Sequence, residues 1–564
     1  MKKSLRLQAL LIALVLLISC LGMAACGGST TDTQTTDTTT DTPAADTAAS
    51  ETEEPTEEPA DTGISYPLVE ETYEVTWWLS FMSQFSQSIS GMADYAAIQY
   101  AEDLTNIHIN WQEVSYSAAN DQRNIIIASE DYPDIMPLSA YYTGGQTAAI
   151  ADGVIYDLAP LMEENAPDML SYYTSTDEIR RNFYNSDGSA AGLFTVRDEV
   201  GQTTNSALAV RGDWLDELGM DVPTTYDELT AYMQACRDKY GADSALLMDS
   251  SMLFTQGISA GYDTKGYISS GRSFYQIDGI VDCGIASDST KEFMEWYSGI
   301  YADGLVCRDW MSVSEAPGET DRWSYVFNGQ SCVFMVAANQ VSLMEESGRI
   351  DNPDFYVQAI PYLAKEKGGS THMADGSTFG MGGYTNITTA CDNPELVLRW
   401  FNYWWTEDGI MTANFGVQGD SWDYDEDGNW YYTDALLNNE WGVDPSTAIY
   451  AFTVSDFVLT YYMGEKLTAL YSDQTMELLD TWGSNADTAY NMPTNLEVLE
   501  EDKADYSNYI SELETYAVQK LGAFLTGAED IETGWDEYVE TCSKMGYDYC
   551  IEAWQKALDD YLSR

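Results

Sequence analysis

The chain has 564 residues, of which 92 are acidic and 25 basic, for a formal net charge of −67. That balance excludes nucleic acid, which is bound by displacing counterions with a cationic footprint absent here, and it repels an anionic membrane surface, so membrane attachment has to be covalent or hydrophobic. The length implies about three to four domain-sized units or two large lobes, and 40 Tyr with 16 Trp exclude a disordered acidic polymer.

Lys2, Lys3 and Arg6 precede an apolar run at 10–18 and then small residues, the pattern of a secretory signal rather than a membrane span. The run ends at Met23-Ala-Ala-Cys26-Gly-Gly, which resembles a lipobox, where a small residue precedes the cysteine that is lipidated and becomes the mature N-terminus. Leu17-Ile-Ser-Cys20 fits the same pattern; Cys26 is preferred because its apolar region is fuller and a polar tether follows at once. The reading is a signal peptide at 1–25 and a lipidated Cys26 with an acidic, Thr-rich tether at 26–63. Residues 29–62 hold ten acidic residues, no basic one and nothing apolar larger than alanine. They cannot bury enough surface to offset ordering entropy and stay solvated.

The body opens with a strand at 73–80, rich in β-branched and aromatic residues. A helix at 94–104 places Tyr95, Ile98 and Leu104 on one face, and 107–114 alternates like a strand. Helices follow at 118–127, 146–161 and 167–173, with a short strand at 132–136. Strands alternating with helices at this pitch predict a mainly parallel α/β sheet. The pattern restarts with strands at 192–196 and 206–211 around a polar segment at 197–205. Asp213 caps a helix ended by Gly219, and Thr225 with Glu228 has capping-box spacing. Strands at 331–337 and 354–360, a helix at 393–405 started by Pro394, and a largely helical stretch from about 448 complete the chain.

Several segments in order carry a resemblance. AVRGDWLDELGMDVPTTYDEL at 209–229, YPDI at 132–135, FNGQSCVFM at 327–335, NPELVLRWFNY at 393–403, FGVQG at 415–419 and the ending WDEYVE to AWQKALDDY at 535–561 are similar to extracellular solute-binding proteins, family 1. These are the oligosaccharide-type substrate-binding lipoproteins of ABC importers. The resemblance spans roughly 70–562. It implies an α/β, two-lobe periplasmic-binding-protein-like (type II) fold with hinge-crossing strands and a helical C-terminal region. Mapped here, lobe 1 takes 66–198 plus 376–420, and lobe 2 takes 206–358 plus 421–564 with the C-terminal helices. The implied function is a non-enzymatic, lipid-anchored, monomeric receptor at the extracellular face of the cytoplasmic membrane. It would bind an oligosaccharide between its lobes and pass it to the ABC transporter permease by hinge closure.

Sugars present apolar C–H faces and hydroxyl edges, so a sugar site needs aromatic platforms beside carboxylates, amides or arginines. On that basis the expected ligand-binding residues are Trp78, Phe81, Asp134, Arg211, Asp213, Tyr262, Trp323 and Trp422, with Trp77, Tyr267 and Tyr325 nearby. Each has an alternative in packing, and Asp134 and Arg211 one as structural groups. Asp423, Asp425, Asp427 and Asp434 fall at places one, three, five and twelve of a calcium loop. Asp427-Gly428 between aromatic pairs equally specifies a β-hairpin, which is preferred. Catalysis lacks a motif: there are two histidines, His108 and His372, and no Walker loop, G-x-S-x-G or G-x-G-x-x-G. No cofactor is expected. Seven body cysteines without a C-x-x-C read as buried thiols. The alternatives are a peptide or small-solute receptor on the same fold, and a surface glycoside hydrolase.

Overall fold

The computed structural model describes residues 63–83, 85–198, 204, 206–247, 257–265, 273–308, 320–374, 384–493 and 496–564. The signal, the tether, Cys20, Cys26 and Tyr267 lie outside the described residues. Three strands come first: β1 (Tyr73–Ser80), β2 (Ile107–Val114) and β3 (Ile135–Pro137). β1 and β2 pair in parallel from Tyr73↔Ile107 to Ser80↔Val114, and the helix Ala96–Thr105 makes the crossover. That helix stops where Asn106 turns left-handed, at φ 58°, a conformation that Asn tolerates better than most residues.

Next come β4 (Val196–Arg197) and β5 (Ser206–Arg211), then the hairpin of β6 (Phe274–Ile277) and β7 (Ile280–Cys283). β8 (Val333–Ala337) and β9 (Val357–Ala359) flank β5 on both sides, all antiparallel. β10 (Thr385–Ile387) returns to the first sheet and pairs antiparallel with β3, giving the order β10-β3-β1-β2. β11 (Trp422–Tyr424) and β12 (Trp430–Tyr432) form a hairpin, and β13 (Tyr461–Tyr462) pairs in parallel with β4.

The buried side chains separate into distinct cores. Val75, Trp77, Ile98, Ile135, Phe194, Ile387, Trp400 and Trp404 belong to one around the first sheet. Around β5 the two-residue period of a strand splits the partners. Leu208 and Val210 join a large core with Tyr232, Phe293 and Val333, whereas Ala207 and Ala209 face Phe334, Val336 and Trp482. Leu513, Trp535 and Tyr561, from the helices Glu500–Leu525, Ile531–Lys544 and Tyr547–Ser563, lie in the core of the second body.

Two expectations are corrected here. Residues 421–564 do not pack as a whole with the second body, because Val454, Val458 and Leu459 are buried in the first core beside Trp404. The chain re-enters the second body near Leu478 and Trp482. The single helix expected at 146–161 is two, Gly145–Ala151 and Ala159–Asn165. Gly153 breaks it at φ 71°, and Ile155 leaves to form an isolated bridge with Thr388, just after β10. All seven described cysteines are buried, and none of them forms a disulfide among the described residues.

Candidate functional site

Parallel strands bring their C-terminal ends to one edge, and loops leaving that edge are where an α/β body places ligands. A cavity of about 200 Å³ lies there, between Trp77, Leu79 and Ser80 of β1, Pro137 of β3, Thr385 of β10, residues 193–195, Arg197, residues 455–459 and Tyr462. It is smaller than the ~300–1,000 Å³ of a typical ligand pocket, which leaves room for one sugar-sized ring. The wall is mixed. Tyr116, Phe457 and Tyr462 supply aromatic surface, whereas Ser80, Arg197 and Asp456 supply donors and acceptors. Tyr116 is 56% exposed, so its ring has a face available to a ligand.

The second half of this wall is set by the segment that carries the chain back toward the second body. Asn414 straps it: its Nδ2 donates to the Tyr461 carbonyl at 2.8 Å and its Oδ1 accepts from Met463 N at 2.9 Å. Asp198 accepts from Gly464 N at 3.0 Å through Oδ2, and Tyr432 Oη donates to the Lys466 carbonyl at 2.6 Å. Held this way, Lys466 is wholly buried, and its ammonium donates to Ser455 Oγ at 2.7 Å and Asp456 Oδ2 at 2.9 Å. It also lies 4.4 Å from the Tyr462 ring centroid, and the Arg197 guanidinium lies 5.0 Å from the same ring. Burial, then the Asp456 charge, pushes the Tyr116, Tyr450 and Tyr462 hydroxyls up, so they remain neutral donors. Asn339, which follows β8 in the second body, donates to Tyr450 Oη at 3.1 Å and so reaches the same cluster.

The residues expected from sequence are mostly elsewhere. Alternation along β1 turns Trp77 into the first core, stacked 5.1 Å from Trp111, and sends Trp78 to the opposite face. There Trp78 is 2% exposed, with the Arg123 guanidinium 5.3 Å from its ring. Phe81 is buried behind the cavity, 5.2 Å from the lining residue Phe457. Asp134 sits before β3, away from the cavity edge, and staples two strands by accepting from Thr76 N and Thr76 Oγ1, both at 2.7 Å.

Arg211 and Asp213 form a buried fork at the far end of β5, Nε to Oδ1 at 2.8 Å and Nη2 to Oδ2 at 2.5 Å. Val326 O and Asn352 Nδ2 complete it, and Trp214 and Phe355 cover the guanidinium. Tyr262 packs on Tyr226 in the second body, and Trp323 is buried beneath that body's sheet. Trp422 is buried in the hairpin's own cluster, its Nε1 donating to Gly416 O at 2.7 Å. Of the eight, only Phe81 adjoins the cavity.

Of the four aspartates at 423–434, Asp425 closes the turn of the hairpin. Asp425 Oδ1 accepts from the backbone N–H of Asp427 and Asn429, both at 2.9 Å, and Asp434 begins the short helix Asp434–Leu437. Among the described residues no three His, Cys, Asp or Glu side chains converge as a metal site. His108 Nδ1 is 2.8 Å from Glu102 Oε2 on the opposite edge of the sheet. Sequence reasoning missed Tyr116, Arg197, Ser455, Asp456, Tyr462 and Lys466. The polar stretch beginning at Arg197, between two strands, was the one local signal pointing to any of them.

The profile of bacterial extracellular solute-binding proteins matches residues 86–411. A fructooligosaccharide ABC transporter substrate-binding protein, FusA of Streptococcus pneumoniae, is 22% identical over 529 residues, covering 88% of this chain and 92% of that one. The lipoprotein LipO of Bacillus subtilis is 23% identical over 458 residues, covering 78% and 84%. The crystal structure of the alginate-binding protein AlgQ2 superposes with a TM-score of 0.68 at 18% identity, covering 87% of this chain and 99% of the other. The chain shares the two-lobe, type II architecture of these proteins.

Proposed function

We infer the function from a premise: this chain belongs to the bacterial extracellular solute-binding protein family. On that premise it is the receptor component of an ABC importer, and its ligand is an oligosaccharide bound between the lobes. The observation that carries the ligand class is the cavity wall at the C-terminal strand edge, where Tyr116, Phe457 and Tyr462 alternate with Ser80, Arg197 and Asp456. Aromatic faces beside charged and hydroxyl groups match the apolar face and hydroxyl edge of a sugar ring. The fructooligosaccharide and alginate receptors among its relatives support the same class.

The receptor works as a lipid-anchored monomer that returns its ligand unchanged. Lipidation at Cys26 would tether it to the outer face of the membrane, a reading supported by the lipobox-like run and by the lipoprotein among its relatives. No helix among the described residues is long and apolar enough to cross a membrane. The test is thermal shift of the mature chain against plant, host and microbial oligosaccharides, with chromatography of the glycan afterwards. A ligand that binds only the native state raises the melting temperature by mass action. A shift by an intact glycan supports the receptor; shortened products would make it a hydrolase, and a shift by peptides alone would change the ligand.

A further inference from the structure

Lys466 is an unusual investment. A lysine without exposed surface loses its hydration, at several kcal/mol unless a partner compensates, and an apolar residue of similar volume is often as stable. Its compensation is complete: Asp456 and Ser455 take hydrogen bonds from the ammonium, and the rings of Tyr462 and Tyr450 lie 4.4 and 6.0 Å away. Asp456 differs from the usual partner of a buried cation in having a side chain that is 25% exposed and lines the cavity. Lys466 occupies its Oδ2; among the described residues its Oδ1 has no hydrogen-bond partner. The pair therefore joins a buried anchor, pinned by Tyr432, to a carboxylate with acceptor capacity left for a ligand.

We propose that Lys466 is a positioning residue that holds Asp456 as a charged acceptor for the hydroxyl groups of the sugar ring in this cavity. The assignment rests on the oligosaccharide reading and names the side chains that read the ring's hydroxyl edge. A carboxylate fixed at one oxygen offers the other in one orientation, so it selects a ring whose free hydroxyls meet that oxygen. A loose carboxylate would pay rotamer entropy at each binding event.

The experiment is calorimetric titration of the full mature protein with kestose, maltotriose and xylotriose, followed by variants with whichever binds most tightly. Asp456→Asn and Lys466→Met are each expected to weaken that ligand by about 10- to 100-fold, the usual range for a hydrogen bond to a charged group. The double variant is expected to lose no more than either single one, because the two act as a unit. Where Lys466→Met fails to fold, Lys466→Gln replaces it. Gln keeps a donor for Asp456 without the charge, and a loss of roughly 3- to 10-fold is expected. A lysine variant that melts earlier yet binds with native affinity makes Lys466 a structural support and overturns the proposal. Native affinity in Asp456→Asn overturns it as well. Native protein that binds none of the three sugars refutes the oligosaccharide reading first and the assignment with it.

Discussion

Asp213→Ala separates a structural charge from a ligand-binding one. Asp213 accepts from Arg211 Nε, Arg211 Nη2 and Asn352 Nδ2, and the Arg211 guanidinium is enclosed by Trp214 and Phe355. Removing the carboxylate strands a buried cation whose remaining acceptor among the described residues is the Val326 carbonyl at 3.1 Å. Breaking one partner of a buried pair costs about 3–5 kcal/mol, since the other charge is left uncompensated. With a urea slope of about 3 kcal/mol per M, the unfolding midpoint of the second body falls by roughly 1–1.7 M. Asp213→Asn keeps one acceptor oxygen and falls between the variant and the native protein. Tryptophan fluorescence in urea measures the midpoint, and titration with an oligosaccharide below the transition measures affinity. Because the fork lies at the end of β5 away from the cavity, affinity stays at the native value. A native midpoint with weakened binding would refute this placement and restore Arg211 and Asp213 to the site.

Trp78→Ala should destabilise the first body by about 3–5 kcal/mol, the cost of emptying a buried aromatic position, and leave sugar affinity unchanged in the folded fraction; calorimetric melting and titration check both. Tyr116→Ala should do the opposite, lowering affinity by about 1–3 kcal/mol with little change in melting, because its ring is exposed at the cavity; native affinity would remove it from the wall. Burial pushes the Cys391 and Cys542 thiols up to about 11 from an ordinary 9.0. The unfolded chain therefore releases these protons first, and stability falls as pH rises from 9 toward 11 while these thiols contribute no slope below 9. Urea midpoints across that range measure it, and a flat alkaline profile would contradict the burial of these thiols. Asp425→Ala should loosen the hairpin through the lost turn hydrogen bonds, and calcium should not shift melting of the native protein; a calcium-dependent shift abolished by this variant would reinstate the loop as a cation site.

Local patterns in the sequence specified much of this molecule. β-Branched and aromatic content located β1, and alternation located β2. Spacing located the cap in which Thr225 Oγ1 accepts from Glu228 N at 3.2 Å, and the Asn393 side chain caps the helix that Pro394 starts. Asp427-Gly428 between aromatic pairs located the β11–β12 hairpin. Each of these depends on neighbours within a few residues, where backbone sterics and side-chain period act directly. Family-like segments spread along the chain supplied the two-lobe architecture.

The site was another matter. Trp77 and Trp78 are adjacent and chemically identical, and only the packing of the helix Tyr116–Ser129 on one face and Trp400 on the other distinguishes their surroundings. Arg211 and Asp213 look like ligand groups until Asn352 and Phe355, more than a hundred residues away, are seen to enclose them. The cavity itself joins Trp77, Leu79 and Ser80 to residues 193–195, Arg197, residues 455–459 and Tyr462, and Lys466 reaches Asp456 only because Asn414, Asp198 and Tyr432 pin the segment between them. Periodicity reports which side of its own element a residue faces. Which distant segment meets that side is decided by the packing of whole bodies, and there the wall of the candidate site was determined.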